Sequence, residues 1–233
     1  MAGIDLDSVA NVLLAFYRLV GSESADIALT ERGEGDDDVA YLYLTRGSRA
    51  AQRFMLKTGY TDWLTRSSAL TWTGSDATTG GVYSTLPTDC LRAYGDEDPR
   101  RRALINADGS GWGRQIRPDE ASYNEGDFFY FDSGKLWLAR LAAPPSPLYL
   151  RYHKMHAAWH SAVTIDFPLE ARSLIVASGA VEAMQEDWLP GGQAMEARIE
   201  RALARAKENA RDVARQTKQP RTLRKPTRWG NHW

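Results

Sequence analysis

Residues 128–138 read FFYFDSGKLWL, which is two apolar runs separated by the polar tetrad Asp132–Lys135. A Ser-Gly step between apolar runs is typical of the turn of a β-hairpin. Other short apolar or alternating runs recur at intervals of roughly ten residues, separated by Asp-Gly, Asp-Pro and Pro-Pro steps. These runs are 69–73, 82–86, 91–94, 103–105, 115–117 and 148–152. Together with the hairpin they predict a small antiparallel β-sandwich or barrel.

The sequence before this β-rich stretch has helical spacing. Apolar residues between positions 6 and 20 recur three and four residues apart, which predicts a first helix. Asp5 or Asp7 is the expected N-cap, because a carboxylate accepts hydrogen bonds from the free N–H groups of a first turn. Gly21 is the expected end of this helix.

A second helix of about 20 residues is predicted after the acidic run Asp36–Asp38, because negative charge stabilises a helix N-terminus. Gly59 is its expected end. Gly47 and Ser48 are poor helix formers near its centre and could interrupt it. The expected buried side of this helix consists of Val39, Leu42, Tyr43, Ala50 and Phe54.

Helical spacing returns towards the C-terminus. Apolar residues from Leu169 to Trp188 predict a third helix that ends at the Pro-Gly-Gly sequence 190–192. A fourth helix should begin near Ala194, with one narrow apolar seam on a surface that is otherwise charged or alanine. The seam consists of Met195, Ile199, Leu203, Ala206, Ala210 and Val213.

The order of these elements predicts an α+β fold. The two N-terminal and two C-terminal helices are expected to pack as one four-helix bundle, formed by residues 1–64 and 156–216. The central antiparallel β-sandwich or barrel is an insert at 65–155. Residues 217–233 should form an extended C-terminal tail, because the prolines of this segment cannot continue the last helix.

Composition excludes several classes of protein. Hydrophobic residues make up 43% of the chain and charged residues 25%, which is typical of a globular protein. No apolar run has the length of a membrane-spanning helix, and the N-terminus lacks the pattern of a signal peptide. The single cysteine, Cys90, excludes a disulfide framework and favours a reducing cytoplasm, with the thiol as a buried structural group.

Charge is divided unevenly along the chain. The formal net charge is −1, yet six basic and no acidic residues follow Asp212, so residues 1–212 carry −7 and the remainder carries +6. Residues 218–233 read KQPRTLRKPTRWGNHW, in which bases are interleaved with two tryptophans. Such a segment suits two kinds of partner. One is nucleic acid, with bases stacked on tryptophan, and the other is an acidic protein groove whose pockets the tryptophans fill.

Three histidines, His153, His156 and His160, are the strongest candidates for a metal site, because three imidazoles can hold a catalytic zinc ion. They fall at a strand end before a helix, where a shared face is not assured, and no HExxH motif is present. The pattern therefore favours polar loop histidines over a metal centre.

The remaining motifs favour structural roles. Asn106–Gly111 begins like a calcium loop, but its twelfth position holds Arg117 instead of a glutamate, which favours a turn between strands. Adjacent carboxylates at Asp36–Asp38 favour a solvated helix N-terminus. The sequence has no nucleophile elbow, phosphate loop or dinucleotide fingerprint. It therefore predicts no catalytic residue, no metal and no cofactor, although a metal-assisted hydrolase that uses His153, His156 and His160 stays a minor alternative.

An ordered set of segments resembles a known family. The segments are LPTDCLR at 86–92, GRQI at 113–116, LWL at 136–138, PLYLRY at 147–152, DFP at 166–168 and LPG at 189–191, followed by an alanine- and arginine-rich last helix. The set resembles the head-to-tail adaptors of tailed bacteriophages, also called head completion or tail tubular proteins. The resemblance covers about residues 80–215, and LPTDCLR is its most telling motif.

The resemblance implies a structural role in the neck of a virion, after assembly in the host cytoplasm, and a protein that is not an enzyme. Family members form a homo-oligomeric ring of about twelve copies through heterologous contacts. The ring docks on the portal protein, extends the channel that encloses viral DNA, and carries the tail or nozzle protein on its β-domain. A membrane is not involved.

Two sets of residues receive roles from this resemblance. The portal-binding set consists of Arg221, Arg224, Lys225, Arg228, Trp229 and Trp233. The subunit-packing set consists of Met195, Ile199 and Leu203, because a narrow apolar seam suits helix packing between neighbouring subunits. The alternative function is a nucleic-acid-binding module that acts through the basic, aromatic tail.

Overall fold

The computed structural model shows a mixed α+β fold with four α-helices and two β-sheets in the part of the chain that it describes. The described residues are 5–21, 37–60, 62–74, 81–94, 103–121, 127–138, 147–186 and 193–218. The chain divides into two compact units: residues 1–60 with 156–233 form a helical unit, and residues 61–155 form a β-rich unit. Within the described ranges, none of the helices combines the length and apolar character needed to cross a lipid bilayer.

The helical unit contains α1 (Val9–Leu19), α2 (Asp38–Thr58), α3 (Arg172–Gln185) and α4 (Gln193–Lys218). Helix α3 packs against each of the other three, and α2 also packs against α1 and α4. This central position explains why every residue from Leu174 to Ala180 is buried, since a helix with neighbours on several sides must be apolar around most of its surface. The predicted end of α3 at Trp188 and the stop at 190–192 lie outside the described residues.

Two details of the helix starts differ from the sequence prediction. The N-cap of α1 is Ser8, whose side chain accepts a hydrogen bond from the Asn11 backbone at 3.3 Å, so neither Asp5 nor Asp7 caps this helix. Asp7 instead accepts from the Asn11 side chain at 2.8 Å. At α3, the residues Leu169–Ala171 form a 3₁₀ turn, and Leu169 is 44% exposed rather than part of the buried face.

Helix α2 is continuous through Gly47 and Ser48 and ends, as predicted, before Gly59, whose φ of 93° suits glycine. Gly47 lies against α3: a Cβ atom there would be 2.6 Å from the carbonyl oxygen of Ile175. The absence of a side chain at Gly47 therefore lets the two helix backbones approach closely.

The predicted buried side of α2 is wrong in part, because Val39 is 40% and Leu42 46% exposed. Tyr43 is buried, but Ala50 and Phe54 are only partly buried. The buried face is centred on Gly47 and consists of Ala40, Tyr43, Leu44, Gly47, Ser48, Ala51, Gln52 and Met55. The close approach to α3 determines which face of α2 is buried. The spacing of large apolar residues does not reveal this face, because glycine and serine lie at its centre.

The β-rich unit contains eight strands in its described part. They are β1 (Leu64–Ala69), β2 (Val82–Thr85), β3 (Cys90–Ala93), β4 (Leu104–Ile105), β5 (Arg114–Gln115), β6 (Phe128–Asp132), β7 (Lys135–Leu138) and β8 (Tyr149–Lys154). In the first sheet, β1, β3 and β4 all pair antiparallel with β8. The second sheet has the order β2-β7-β6-β5.

The second sheet confirms one prediction and corrects another. Asp132 pairs with Lys135, and Ser133 and Gly134 have φ values of 48° and 73°, as the tight turn of a hairpin requires. Strand β5, however, runs parallel to β6, so this sheet is mixed rather than antiparallel. The predicted strand 69–73 is wrong beyond its first residue, because β1 ends at Ala69 and, of the following residues, only Thr73 forms a bridge, to Tyr83.

Side chains from both sheets meet in one apolar core. Leu104 and Leu150 of the first sheet and Phe129, Leu136 and Leu138 of the second are all at most 1% exposed and belong to the same cluster. The alternation of buried and exposed residues along the strands produces this core, because successive side chains point to opposite faces of a sheet.

Candidate functional site

The predicted portal-binding residues lie at the end of the chain. Arg221, Arg224, Lys225, Arg228, Trp229 and Trp233 all lie outside the described residues, and their role stays a prediction. Helix α4 continues to Lys218, so helical structure extends into the first two residues of the predicted tail, 217–233.

The predicted subunit-packing seam of α4 is largely used within the chain. Ile199 is fully buried in the helical unit, so its side chain leaves no surface for a neighbouring subunit. Ala206, Ala210 and Val213 are buried as well, because α4 packs with this face against α2 and α3. Met195 and Leu203 are partly buried, and for these two residues the role in subunit packing stays a prediction.

A groove of about 330 Å³ lies between α2, α3 and α4. Its lining residues are Ala50, Arg53, Phe54, Lys57, Leu174, Ser178, Val181, Glu182, Leu203 and Lys207. Three of them are cations and one, Glu182, is an acid, whereas residues 1–212 as a whole carry −7. We call this region the basic groove, because its lining carries three cations and one acid.

The aromatic ring of Phe54 organises the cations at this groove. The Lys207 ammonium nitrogen lies 5.8 Å from the ring centroid, and the Arg211 guanidinium carbon lies 5.6 Å from it. Both distances are within the range of cation–π attraction. Arg53, Lys57 and Lys207 form no ion pair with any other residue in the described ranges, so their charge is available to a partner.

The other end of α2 has the opposite charge. Asp37 precedes the helix and accepts a hydrogen bond from the Tyr17 hydroxyl at 2.8 Å, and Asp38 lies in the first turn. Val39 and Leu42 are exposed beside these carboxylates. Only one other large apolar side chain in the described part of the chain, that of Leu169, is exposed to this degree.

The pKa values of two tyrosines on α2 are raised by their surroundings. Burial raises the pKa of the Tyr41 hydroxyl, and the charges of Asp37 and Asp38 raise it further. Burial also raises the pKa of Tyr43, with an added contribution from Glu186, which accepts its hydroxyl at 3.3 Å and pairs with Arg46. Both hydroxyls therefore remain neutral at physiological pH.

The three histidines do not form a metal site. His153 lies on β8, His156 is buried in the segment that follows, and His160 is exposed. In the described ranges, no group of three or more histidine, cysteine, aspartate or glutamate side chains is placed to hold a metal ion.

His156 belongs to a segment that is fixed onto α2. Its backbone N–H donates to the Gln52 side chain at 2.9 Å, and its ring stacks on Trp159 at a centroid distance of 5.5 Å. The Trp159 indole N–H donates to the Ser48 hydroxyl at 2.6 Å. Burial lowers the pKa of His156, although the Ala157 carbonyl opposes this shift. The buried polar residues of α2 thus hold this segment, a role that the sequence pattern did not reveal.

The calcium-like loop is a self-contained turn. Asn106 donates from its backbone to the Ser110 carbonyl and from its side chain to the Ser110 hydroxyl, both at 2.9 Å. Asp108 accepts from the Ser110 backbone at 2.9 Å and from its hydroxyl at 2.6 Å, and these bonds lower the pKa of its carboxyl group. These hydrogen bonds close a turn between β4 and β5, as the sequence predicted.

Cys90 lies on β3 and is partly rather than fully buried, packed beside the core of the β-rich unit. The neighbouring Asp89 accepts the Tyr152 hydroxyl at 2.9 Å. Burial and this acceptor raise the pKa of Tyr152 to about 12, so the hydroxyl remains a donor.

An aromatic cluster on the second sheet escaped the sequence analysis. Tyr83 and Tyr130 flank Trp137 across neighbouring strands, at centroid distances of 4.8 and 6.1 Å. The Lys135 ammonium lies 4.2 Å from the Tyr83 centroid. These residues face away from the side chains of Leu136 and Leu138, and the alternation of the strands was the signal that could have found them.

The basic groove was also missed. Its signal in the sequence is a pair of cations four residues apart on each of two helices, Arg53 with Lys57 and Lys207 with Arg211. Residues four apart share a helix face, but which helices meet there depends on the tertiary packing.

Comparison with known proteins gives no family for this chain. No protein-family model matches it, and no curated protein matches it either.

Proposed function

We propose that this protein is a structural head-to-tail adaptor of a tailed bacteriophage. It forms a ring on the portal protein, extends the channel for viral DNA and provides the platform for a tail or nozzle protein. The observation that carries the proposal is the division of the chain, in which helices from both ends form one unit and a β-rich unit is inserted between them. Two units on one polypeptide can bind two different partners, as an adaptor requires.

We assign a finer architecture to each unit on the same basis. The helices form a four-helix bundle, which the central packing of α3 against α1, α2 and α4 supports. The two sheets form a β-sandwich, which the shared core of Leu104, Leu150, Phe129 and Leu136 supports.

The basic tail serves as the portal-binding segment in this proposal. Its cations Arg221, Arg224, Lys225 and Arg228 meet an acidic surface, while Trp229 and Trp233 fill apolar pockets. The charge division supports this role, because residues 1–212 carry −7 and the tail carries its excess of base at the end of α4. An acidic body also suits a channel wall to which DNA does not adhere.

The test is negative-stain imaging of the protein mixed with the portal protein of the same genome. Two chains are compared, the full chain and a variant that ends at Lys218, the last helical residue of α4. We expect a ring on the portal with the full chain and its loss with the shortened chain, whose circular dichroism should be unchanged. A ring that survives truncation would keep the adaptor and remove the tail from portal binding.

Single substitutions separate the aromatic from the basic part of the tail. Trp229→Ala or Trp233→Ala should weaken portal binding by about 2 kcal/mol, because buried aromatic anchors dominate the energetics of interfaces. Arg224→Ala is the matched control, and it should cost less than about 1 kcal/mol, as exposed charges at a rim do. Equal losses in all three variants would contradict the proposed aromatic anchoring.

The six cations that follow Asp212 favour one alternative, a nucleic-acid-binding module. With six phosphate contacts, the affinity for DNA or RNA should fall by about a thousandfold between 50 and 200 mM salt. If no complex forms with the portal protein and this salt dependence is observed, the alternative replaces the adaptor.

A further inference from the structure

Two surfaces near the opposite ends of α2 have complementary chemistry. Near its N-terminus, Asp38, Val39 and Leu42 form what we call the acidic knob, with Val39 40% and Leu42 46% exposed. Near its C-terminus lies the basic groove, whose apolar lining includes Phe54, Val181 and Leu203. Each surface combines apolar side chains with charge, and the two charges are opposite.

The knob cannot reach the groove of its own chain. Val39 and Phe54 lie on the same continuous helix and are separated by 15 residues, which corresponds to about 22 Å along the helix axis. A helix of this length is a stiff rod when it is packed along one side against α3. Any contact between knob and groove therefore requires two molecules.

We propose that the acidic knob of one copy of this chain docks into the basic groove of a second copy. The side chains of Val39 and Leu42 pack against Phe54, Val181 and Leu203 of the second copy. Asp38 lies near the cations of that groove, Arg53, Lys57 and Lys207. The contact is heterologous, since each copy retains one free knob and one free groove, and its repetition closes a ring when the rotation between copies allows.

A second copy fits the groove better than other occupants do. Nucleic acid would satisfy the cations with phosphate but would leave the exposed Val39 and Leu42 unexplained. The tail of the chain is basic, so the cations of the groove would repel it. An acidic surface with two exposed apolar side chains matches both properties of the groove, and this chain carries such a surface.

Helix electrostatics alone explains only part of this arrangement. Acids near the N-terminus and bases near the C-terminus of α2 stabilise the helix macrodipole. That effect accounts for Asp38 and Lys57. It does not account for Lys207, which lies in the middle of α4, nor for the exposure of two large apolar side chains at the knob.

Disulfide trapping with the full-length chain tests the contact. Each variant carries Cys90→Ser, so that only the introduced cysteines react. A Leu42→Cys chain is mixed with a Leu203→Cys chain, and the rate of disulfide-linked heterodimer formation is measured. The matched control replaces the second chain with an Ala194→Cys chain, because Ala194 is exposed on α4 about 14 Å from Leu203 along the helix. We expect trapping at least about tenfold faster in the first mixture, since proximity raises the effective concentration of the thiols.

Charge reversal tests the electrostatic part of the contact. Adding Lys57→Glu to the Leu203→Cys chain should slow trapping by about fivefold, and adding Asp38→Lys to the Leu42→Cys chain should restore it. Thermal unfolding of each variant shows whether it is folded. Trapping no faster than in the control, or unaffected by Lys57→Glu, would overturn the proposal. Faster trapping of the Leu42→Cys chain with itself would also overturn it, because it would indicate contact between two knobs.

This inference concerns contacts between copies of the chain and does not depend on the viral role. A chain that traps as expected but binds no portal protein would retain the contact and lose the adaptor function. A chain that forms rings on the portal without selective trapping would retain the adaptor function and place the subunit contact elsewhere.

Discussion

In the β-rich unit, large apolar side chains from two sheets fill one core, whereas in the helical unit two glycines let α2 and α3 approach closely. Phe129, Leu136 and Leu138 are at most 1% exposed in the first case. In the second, Gly47 of α2 faces Gly179 of α3, where an added Cβ would lie 3.0 Å from the Tyr43 carbonyl oxygen. The core of the β-rich unit therefore depends on side-chain volume, whereas the contact between α2 and α3 at these glycines depends on its absence. Removing volume should destabilise the first, and adding volume should destabilise the second.

The largest expected effect is the loss of volume in the β-rich unit. Phe129→Ala should lower the free energy of unfolding by about 4 kcal/mol, because it leaves a cavity among side chains that cannot collapse. Urea denaturation followed by the near-ultraviolet aromatic signal measures it. Thr85→Ala, exposed on β2, is the control and should stay within about 0.5 kcal/mol. A loss below 1 kcal/mol at Phe129 would contradict its place in the core.

Next in size is a pair of leucines that tests the rotation of α2. Leu44 is fully buried and Leu42 is 46% exposed. Leu44→Ala should therefore cost about 3 kcal/mol of unfolding free energy, and Leu42→Ala less than about 0.5 kcal/mol. Denaturation followed by the helical band of the circular dichroism spectrum distinguishes them. A larger loss for Leu42→Ala than for Leu44→Ala would instead support the buried face that the apolar spacing predicted.

A smaller loss is expected from adding volume between the helices. Gly47→Ala should cost about 2 kcal/mol, because its Cβ meets the Ile175 carbonyl and the gain in helix propensity only partly offsets the overpacking. Gly109→Ala is the control: its Cβ would meet nothing within 4 Å, and only its φ of 84° opposes the change, at about 1 kcal/mol. Equal stability of wild type and Gly47→Ala would show that the helices are not in close contact there.

The smallest effect concerns pH and the segment fixed onto α2. Burial lowers the pKa of His156 below its ordinary value of 6.5. As the pH falls below 6.5, the unfolded chain takes up the proton before the folded one, so this histidine decreases stability progressively until its folded pKa is passed. Thermal unfolding at a series of pH values should show a weaker acid dependence in His156→Gln. His160→Gln, exposed in the same segment, should retain the dependence of the wild type, and identical slopes for all three chains would contradict the assignment.

The two units also differ in how far their sequences predict them. The hairpin at Asp132–Lys135 was predictable because its turn depends on local residues alone, and so was the end of α2 at Gly59. The buried face of α2 was not predictable, because Gly47 acts through Gly179, a residue far along the chain. The parallel pairing of β5 with β6 was missed for the same reason, since strand direction is set by the path of the chain and not by alternation.

The candidate sites differ in the same way: a site formed by contiguous residues could be predicted from the sequence, and a site formed by tertiary packing could not. The tail could be recognised because its charge and tryptophans are contiguous in sequence. The basic groove combines residues from three helices, and its cations become a site only when α2, α3 and α4 meet. The apolar seam of α4 could be predicted from the sequence, but Ile199 in this seam is buried in the core of the helical unit.

The insertion of the β-rich unit has a consequence for biosynthesis. Hydrogen bonds that hold the helical unit join residues far apart in sequence, with separations of 104 for Gln52 and His156 and 143 for Tyr43 and Glu186. On the ribosome, α1 and α2 emerge before α3 and α4, which cover them. Residues 61–155 are synthesised in between and can fold before α3 and α4 emerge. The apolar face around Leu44 and Met55 is then open on the nascent chain, which makes this interval the period when chaperone protection matters most.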